Sequence, residues 1–355
     1  MATYSFPWNQ VNALVQDYIL PSIRDQFFKS NAFYYRAQNR LKMYAGGRAI
    51  VVPLSWKAEG NGGGWWSGTD TLDVTVRDPI QAAVHTAKNA YVPIAIDWDE
   101  EKMVQGPTMV KSLIEAKSEL AKTTIIDLVG TDLFNAGTNP KAITGLQYVL
   151  KDWTYVDGAT DYCTAQTYGG IARGGATLAA QNLNNPWWMH QGDPTAYVDN
   201  SNFRSTTAGE VIAVLNKMWT KIGIASAKQP TMMLSNWGIF GNYHNALVLN
   251  DRYMRPQQNS DMAKAGYENL MFKKAIWCVD ERAPRSSAKV EKLYFINEDT
   301  MRLFVHQDAN MAFEPFRKPV DQMTRVAYIL WRGEQVCIEP RANGVISSID
   351  CSHTS

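Results

Sequence analysis

QGPTMVKSLIEAKSELAKTTIIDLVGTDLFNAGTNP, residues 105–140, joins the longest helical pattern in the chain to its densest cluster of turn formers. Val110, Leu113, Ile114, Leu120, Ala121, Ile125, Leu128 and Val129 recur at three- and four-residue spacing until about Phe134, which predicts one amphipathic helix. Pro107 stands where a first helical turn tolerates a missing N–H. Roughly 27 residues at 1.5 Å each span about 40 Å, well over twice the usual helix length. Such a helix is a spine for other elements, and NAGTNP at 135–140 ends it.

N-terminal to this spine the texture is β. Ala49–Trp56, Thr71–Val76 and Ile80–Ile96 are strand-like runs rich in β-branched residues. Between the first two lies KAEGNGGGWWSGTD, residues 57–70, so the geometry predicts a long β-hairpin with that stretch as its tip. Four glycines in five positions are costly to order, and the adjacent Trp65 and Trp66 are large apolar groups on flexible backbone. Something outside the local chain must offset both costs. Still earlier, residues 9–40 carry Val11, Leu14, Val15, Tyr18 and Ile19, then, after Pro21, Ile23, Phe27, Phe28 and Tyr34. This is a helical arm that lies either on its own core or on a neighbour.

C-terminal to the turn, ITGLQYVL leads into a loop-rich stretch to about residue 205. A second helix starts at the capping box Thr207–Glu210, buries Val211, Leu215, Met218, Trp219 and Ile222, and stops at Gly223. TMML at 231–234 reads as a buried strand, Ser235 as an N-cap, and Trp237, Phe240, His244, Leu247 and Val248 as a third helix face. In the β-rich tail, KLYFI and MRLFV flank Asn297–Thr300, and RVAYILW and QVCIEP flank Arg332-Gly333, so both pairs read as hairpins.

Composition narrows the function. The chain has 355 residues, 45% hydrophobic and 19% charged, enough for a sizeable core and about two domains. A net charge of +1 supplies no field to coat nucleic acid or an anionic membrane. Cys163, Cys278, Cys337 and Cys351 form no C-x-x-C pair, which argues against a zinc site or a disulfide scaffold and fits a reducing compartment. The N-terminus lacks the basic and apolar regions of a signal peptide, and the longest apolar runs fall far short of a membrane span.

Chemistry-bearing motifs are sparse. GGIARGG at 169–175 lacks the G-K-[S/T] ending of a phosphate loop and reads as a flexible loop. Asp97, Asp99, Glu100 and Glu101 offer oxygen ligands to a hard cation, but the run reads better as a solvated face before a helix. His85, His190, His244, His306 and His353 show no metal spacing, and His244 reads as a hydrogen-bonded packing residue. With no nucleophile elbow either, the sequence points to no catalytic, cofactor or metal residue, and to a protein that is not an enzyme.

The order of parts, and the patches DLFNAGTNPKAITGLQYVL (132–150), YGGIARGG (168–175), EKLYFINEDTMRLFV (291–305) and WRGEQVCIEPRANGVI (331–346), resemble a tailed-bacteriophage major capsid protein of the Hong Kong 97 type. The resemblance covers nearly the whole chain. It implies an α+β fold with an N-arm (1–42), an extended loop (43–96), a peripheral domain with the spine helix (97–138 and 289–355) and an axial domain (139–288). It implies self-assembly as pentamers and hexamers into an icosahedral virion shell, formed in the host bacterial cytoplasm around packaged double-stranded DNA.

The expected partners are other copies of the chain, a portal, a separate scaffolding protein, since no long segment precedes the arm, and in some relatives a decoration protein. Lys57, Trp65 and Trp66 at the loop tip are the expected inter-subunit contacts; Lys57 stands where the crosslinking lysine of some relatives could sit, but no specific match to that lysine's partners accompanies it, and no crosslink is expected. An encapsulin of the same fold is the nearer alternative, and a β-rich carbohydrate-binding protein or hydrolase using the Trp and Tyr residues is the remote one.

Overall fold

The computed structural model describes residues 32–55, 65–71, 80–103, 107–154, 162–175, 185–193, 208–249, 270–284, 290–320 and 322–350. The arm expected over 9–40 therefore falls largely outside the described residues. Its described end is helix α1 (Ala32–Gln38), which buries Ala32, Phe33 and Tyr34 in the chain's own core. Phe33 packs on Phe134 with ring centroids 5.8 Å apart, and Arg36 forms an ion pair with Glu298, its Nη2 donating to Oε2 at 2.8 Å.

Strands β1 (Lys42–Tyr44), β2 (Ile50–Ser55), β3 (Ile80–His85) and β4 (Lys88–Ile96) follow. The run expected as a single strand over Ile80–Ile96 is two: β3 pairs with β2 as a two-stranded ribbon, whereas β4 leaves the ribbon for a larger sheet. The chain changes partner at Thr86 and Ala87, because Val92, Ile94 and Ile96 need a core that a ribbon cannot provide. The short helix α2 (Trp98–Met103) is opened by Asp97 and Glu100, whose carboxylates accept from the Trp98 N–H (2.7 Å) and the Asp97 N–H (3.2 Å). Glu100 also pairs with Lys117, so this acidic run is a helix start tied to the next helix. Among the described residues no cluster of three potential metal ligands occurs.

Helix α3 (Pro107–Asp132), 26 residues and about 39 Å long, is the expected spine. Ile114, Ser118, Ala121, Ile125 and Val129 form its buried stripe. Leu120 and Leu128, expected in that stripe, face solvent instead, since each is rotated by about 100° from the buried residue that follows it. After the turn, the one-turn helix α4 (Leu146–Val149) returns to the spine, the Leu146 N–H donating to Leu133 O at 2.8 Å.

The loop-rich stretch contains short strands: β5 (Trp153–Thr154) with β6 (Tyr162–Cys163), β7 (Gln166–Tyr168) with β8 (Ile171–Arg173), and β9 (Gln191–Asp193). Helix α5 (Ala208–Ser226) buries Val211, Leu215, Met218, Trp219 and Ile222 as expected, while Thr207 of the anticipated capping box lies outside the described residues. The helix runs through Gly223 and ends at Ala227, which takes the left-handed conformation (φ 56°) usually filled by glycine.

β10 (Met232–Ser235) is fully buried, and Ser235 is its last residue and not a cap. Asn236 caps α6 (Trp237–Leu249), its Oδ1 accepting from the Ile239 N–H at 3.2 Å. Packing on the six-stranded sheet buries Ile239, Phe240 and Tyr243, whereas Trp237 and His244 are exposed; His244 is a surface residue, not a packing one. Leu247 and Val248 lie outside the described side chains.

The tail supplies β11 (Leu270–Phe272), β12 (Ala275–Val279), β13 (Val290–Ile296), β14 (Met301–His306), β15 (Ala312–Arg317), β16 (Arg325–Cys337) and β17 (Gly344–Asp350). Neither expected hairpin forms. β13 lies between β10 and β17 in a six-stranded sheet of order β11-β12-β10-β13-β17-β9, whereas β14 pairs with β1 and β16 in a five-stranded one. The turn at Asn297–Thr300 passes the chain between sheets, and Leu293–Ile296, buried on both faces, lie inside the first of them.

Arg332-Gly333 likewise turns nothing: β16 is one 13-residue strand, paired to β4 from Arg325 to Gly333, to β15 near its start and to β14 at its end. Gly333 is required there by close approach, since a Cβ would stand 2.6 Å from Phe304 O. One core joins the ribbon root, α3 and the five-stranded sheet. A second packs α5 and α6 on the six-stranded sheet, with Tyr243 stacked on Trp277 at 4.5 Å.

Candidate functional site

The β2–β3 ribbon places apolar residues on both of its faces. Val51↔Val84 and Pro53↔Ala82 are cross-strand pairs directed outward with Ile80, whereas Val52↔Ala83 and Leu54 face the body. Val51, Ile80 and Val84 are exposed, so the outer face is an uncovered apolar strip. A two-stranded ribbon is marginal alone, and here only one face is packed.

Beyond the ribbon, Trp65 is fully exposed and Trp66 is 62% exposed. They lead into a small turn in which the Ser67 N–H donates to Asp70 Oδ2 (2.9 Å) and the Asp70 N–H to Ser67 O (3.0 Å). The two tryptophans are thus together and solvent-facing in the isolated chain. Lys57, the third expected contact, lies outside the described residues, as does most of the strand expected over Thr71–Val76.

At its root the ribbon meets the GGIARGG segment, which is a tight hairpin and not a flexible loop. Gly169 and Gly170, between β7 and β8, both have positive φ (60° and 79°), the requirement of a two-residue type I′ turn. Arg173 points into the core and is almost wholly buried. Its guanidinium donates to Val149 O (2.5 Å), Tyr148 O (3.3 Å) and Gln166 Oε1 (3.0 Å), and lies 4.7 Å from the Tyr168 ring centre. It therefore satisfies the carbonyl end of α4 and binds no external phosphate. The Val84 N–H donates to Gly169 O at 2.9 Å, which fastens the ribbon to this hairpin.

Beside that fastening is an open cavity of about 290 Å³. Its walls are the ribbon root (Val84–Thr86, Lys88), the turn after the spine (Gly137, Asn139, Pro140 and Ala142–Thr144) and the β7–β8 hairpin, with Glu334 in the lining. Glu334 is 1% exposed; Oε1 accepts from the Thr144 N–H at 2.8 Å, while Oε2 has no protein partner. Burial pushes this carboxyl up to about 7. His85 is 6% exposed, its Nε2 also unpartnered, and burial, aided by nearby Arg173, pulls it down to about 4. Lys88 Nζ donates to Pro140 O at 2.6 Å and forms no ion pair with Glu334.

Glu334 was not legible as a buried acid, because Arg332-Gly333 beside it mimics a turn. Strand periodicity did not reveal it either: Ala327, Ile329 and Trp331 are the buried phase, which puts Glu334 in the outward one, and only the continuous burial from Gly333 to Cys337 encloses it.

The backbone matches solved shell proteins over almost its full length. It superposes on the Cyanophage A-1(L) capsid subunit with a TM-score of 0.58 at 17% identity, covering 88% of this chain and 90% of that one. An encapsulin from Synechococcus elongatus gives 0.50 at 8% identity over 90% and 89%. The capsid of a native GTA particle gives 0.50 at 11% identity over 88% and 90%. No protein-family model and no curated protein matches the sequence. The chain has the α+β Hong Kong 97 type capsid fold, as the resemblance implied.

Proposed function

We propose that this protein is the major capsid protein of a tailed bacteriophage, self-assembling as pentamers and hexamers into an icosahedral head around packaged double-stranded DNA. The observation that carries the reading is the half-packed ribbon: an uncovered apolar strip at Val51, Val84 and Ile80, continued by exposed Trp65 and Trp66. A second copy of the chain would cover it. Lys57, Trp65 and Trp66 are then inter-subunit contacts of the extended loop, and the arm, loop and spine divide near residues 42, 96 and 138, whereas the tail after 288 is shared, β14–β16 joining β4 in one sheet and β13 and β17 joining β10–β12 in the other.

A shell wall contains DNA and need not condense it, which agrees with a net charge of +1. A separate scaffolding protein and a portal are the expected assembly partners, and the protein has a structural role, in the virion, without catalysis. The encapsulin reading has support in the match to the Synechococcus elongatus shell; the four phage-like sequence patches favour the first.

Electron microscopy of the purified protein, alone and co-expressed with the scaffolding and portal genes beside its own, tests the proposal. Closed icosahedral particles are expected, and monomers or small dimers under both conditions would overturn it. Nuclease-protected double-stranded DNA in particles from infected cells marks a phage head, and a folded protein cargo marks an encapsulin.

A further inference from the structure

We propose that His85 and Glu334 form a proton-balancing pair at the root of the ribbon, so that lifting the ribbon from the body moves charge between them without net uptake or release of a proton. Both side chains line the same cavity, one on the ribbon and one on the sheet beneath it. Each is more than nine-tenths buried, and each presents an atom without a protein partner. Burial disfavours the charged form of either group, so the closed root holds a neutral imidazole and a neutral carboxylic acid.

Opening the root hydrates both. Between the ordinary values of an acid near 4.5 and an imidazole near 6.5, the hydrated carboxyl loses its proton and the hydrated imidazole gains one. The two changes cancel in the proton count, and with it in the pH dependence of opening.

The other groups that face the pair are held by contacts of their own. Lys88 faces Glu334 from the start of β4 and is held by Pro140 O. Arg173 acts on His85 from β8 as a fixed positive charge. Tyr168 sits 4.9 Å from the His85 ring, accepts the Cys337 N–H at 2.8 Å, and is held far above its usual value by burial. Tyr148 donates to Thr167 O, and Thr144 and Gln335 reach Glu334 only through hydrogen bonds.

Removing either partner exposes the other's titration. With Glu334→Gln only His85 remains, and opening becomes about tenfold rarer per pH unit as pH rises from 4.5 to 6.5. With His85→Gln only Glu334 remains, and opening becomes about tenfold more frequent per unit over the same range.

Hydrogen exchange of the Val84 amide in the unassembled chain reads this opening directly, corrected for intrinsic rates. A flat profile in the parent and opposite slopes in the two variants are expected. The same slope in all three, or slopes of one sign in both variants, would overturn the pair. If Glu334→Gln does not fold, His85→Gln decides alone: a profile as flat as the parent's refutes the proposal. The measurement needs no shell, so its failure leaves the capsid reading untouched, and a failure to assemble leaves this one untouched.

Discussion

Gly145 and Gly170 are both glycines in turns, yet different physics holds each in place. A Cβ on Gly145 would stand 2.1 Å from the Asn135 backbone N, where the chain after the spine doubles back on it. Backbone cannot yield as a flexible side chain can, so Gly145→Ala is expected to cost about 3 kcal/mol or more in urea unfolding. Gly170 meets nothing within 4 Å but has φ 79°, so Gly170→Ala should cost only the left-handed strain of about 1–2 kcal/mol. Gly170→Asn should cost less still. Equal losses for the two alanine variants would refute this division.

His190 makes a second residue-scale test. It is fully buried against Lys151 O at 2.6 Å and is pulled down to about 3, chiefly by burial and then by Arg173. Its folded value lies below its unfolded one, so its contribution is complete above about 6.5 and is lost as pH falls toward 3. His190→Gln should therefore flatten the fall in stability between pH 6.5 and 4.5 by about 1.4 kcal/mol per pH unit relative to the parent, measured by denaturant unfolding at each pH.

At the scale of elements, the spine helix shows how much a periodic pattern conveys. Its existence, length and proline start were legible, since an apolar stripe over seven turns has few alternative explanations. Which leucines belonged to the stripe was not. The helix carries apolar residues on more than one side, and only packing against β4 and the core it belongs to selects Ile114, Ile125 and Val129 over Leu120 and Leu128. Ile125→Ala is expected to cost about 2–5 kcal/mol in unfolding experiments. Leu120→Gln should stay within about 0.5 kcal/mol. A large loss for the second would place Leu120 in a core it does not occupy here.

Strand partners were less legible than strands. Alternation and β-branched runs located β13, β14 and β16, but a strand's hydrogen-bonding edges carry no label for their neighbour. Nearest-in-sequence pairing therefore suggested two hairpins where the chain crosses between sheets or runs straight on.

At the scale of the whole molecule, the ribbon and its tryptophans leave apolar surface in water that no other part of the described chain covers. A tryptophan buries about 150–250 Å², a gross gain of roughly 4–6 kcal/mol at about 25 cal/mol per Å². Ordering and association take back much of this, but a closed shell repeats the remainder at every subunit. The double substitution Trp65→Ala, Trp66→Ala is expected to leave the unfolding midpoint of the unassembled chain unchanged while abolishing or slowing shell formation, followed by light scattering and electron microscopy. Assembly at the parental rate would remove these residues from the inter-subunit contact.

The sequence by itself determined the parts and their order: a ribbon, a spine, a turn, a mixed region and a β-rich tail. Each rests on local periodicity, or on residues such as glycine and proline that act on their own backbone. Tertiary structure alone decided which strands pair, which face of the spine is inside, and that Glu334 and His85 share a cavity. Those outcomes depend on contacts between segments as distant as residues 85 and 334, where burial, set by what the rest of the chain packs around a side chain, decides whether an acid or a base carries its charge.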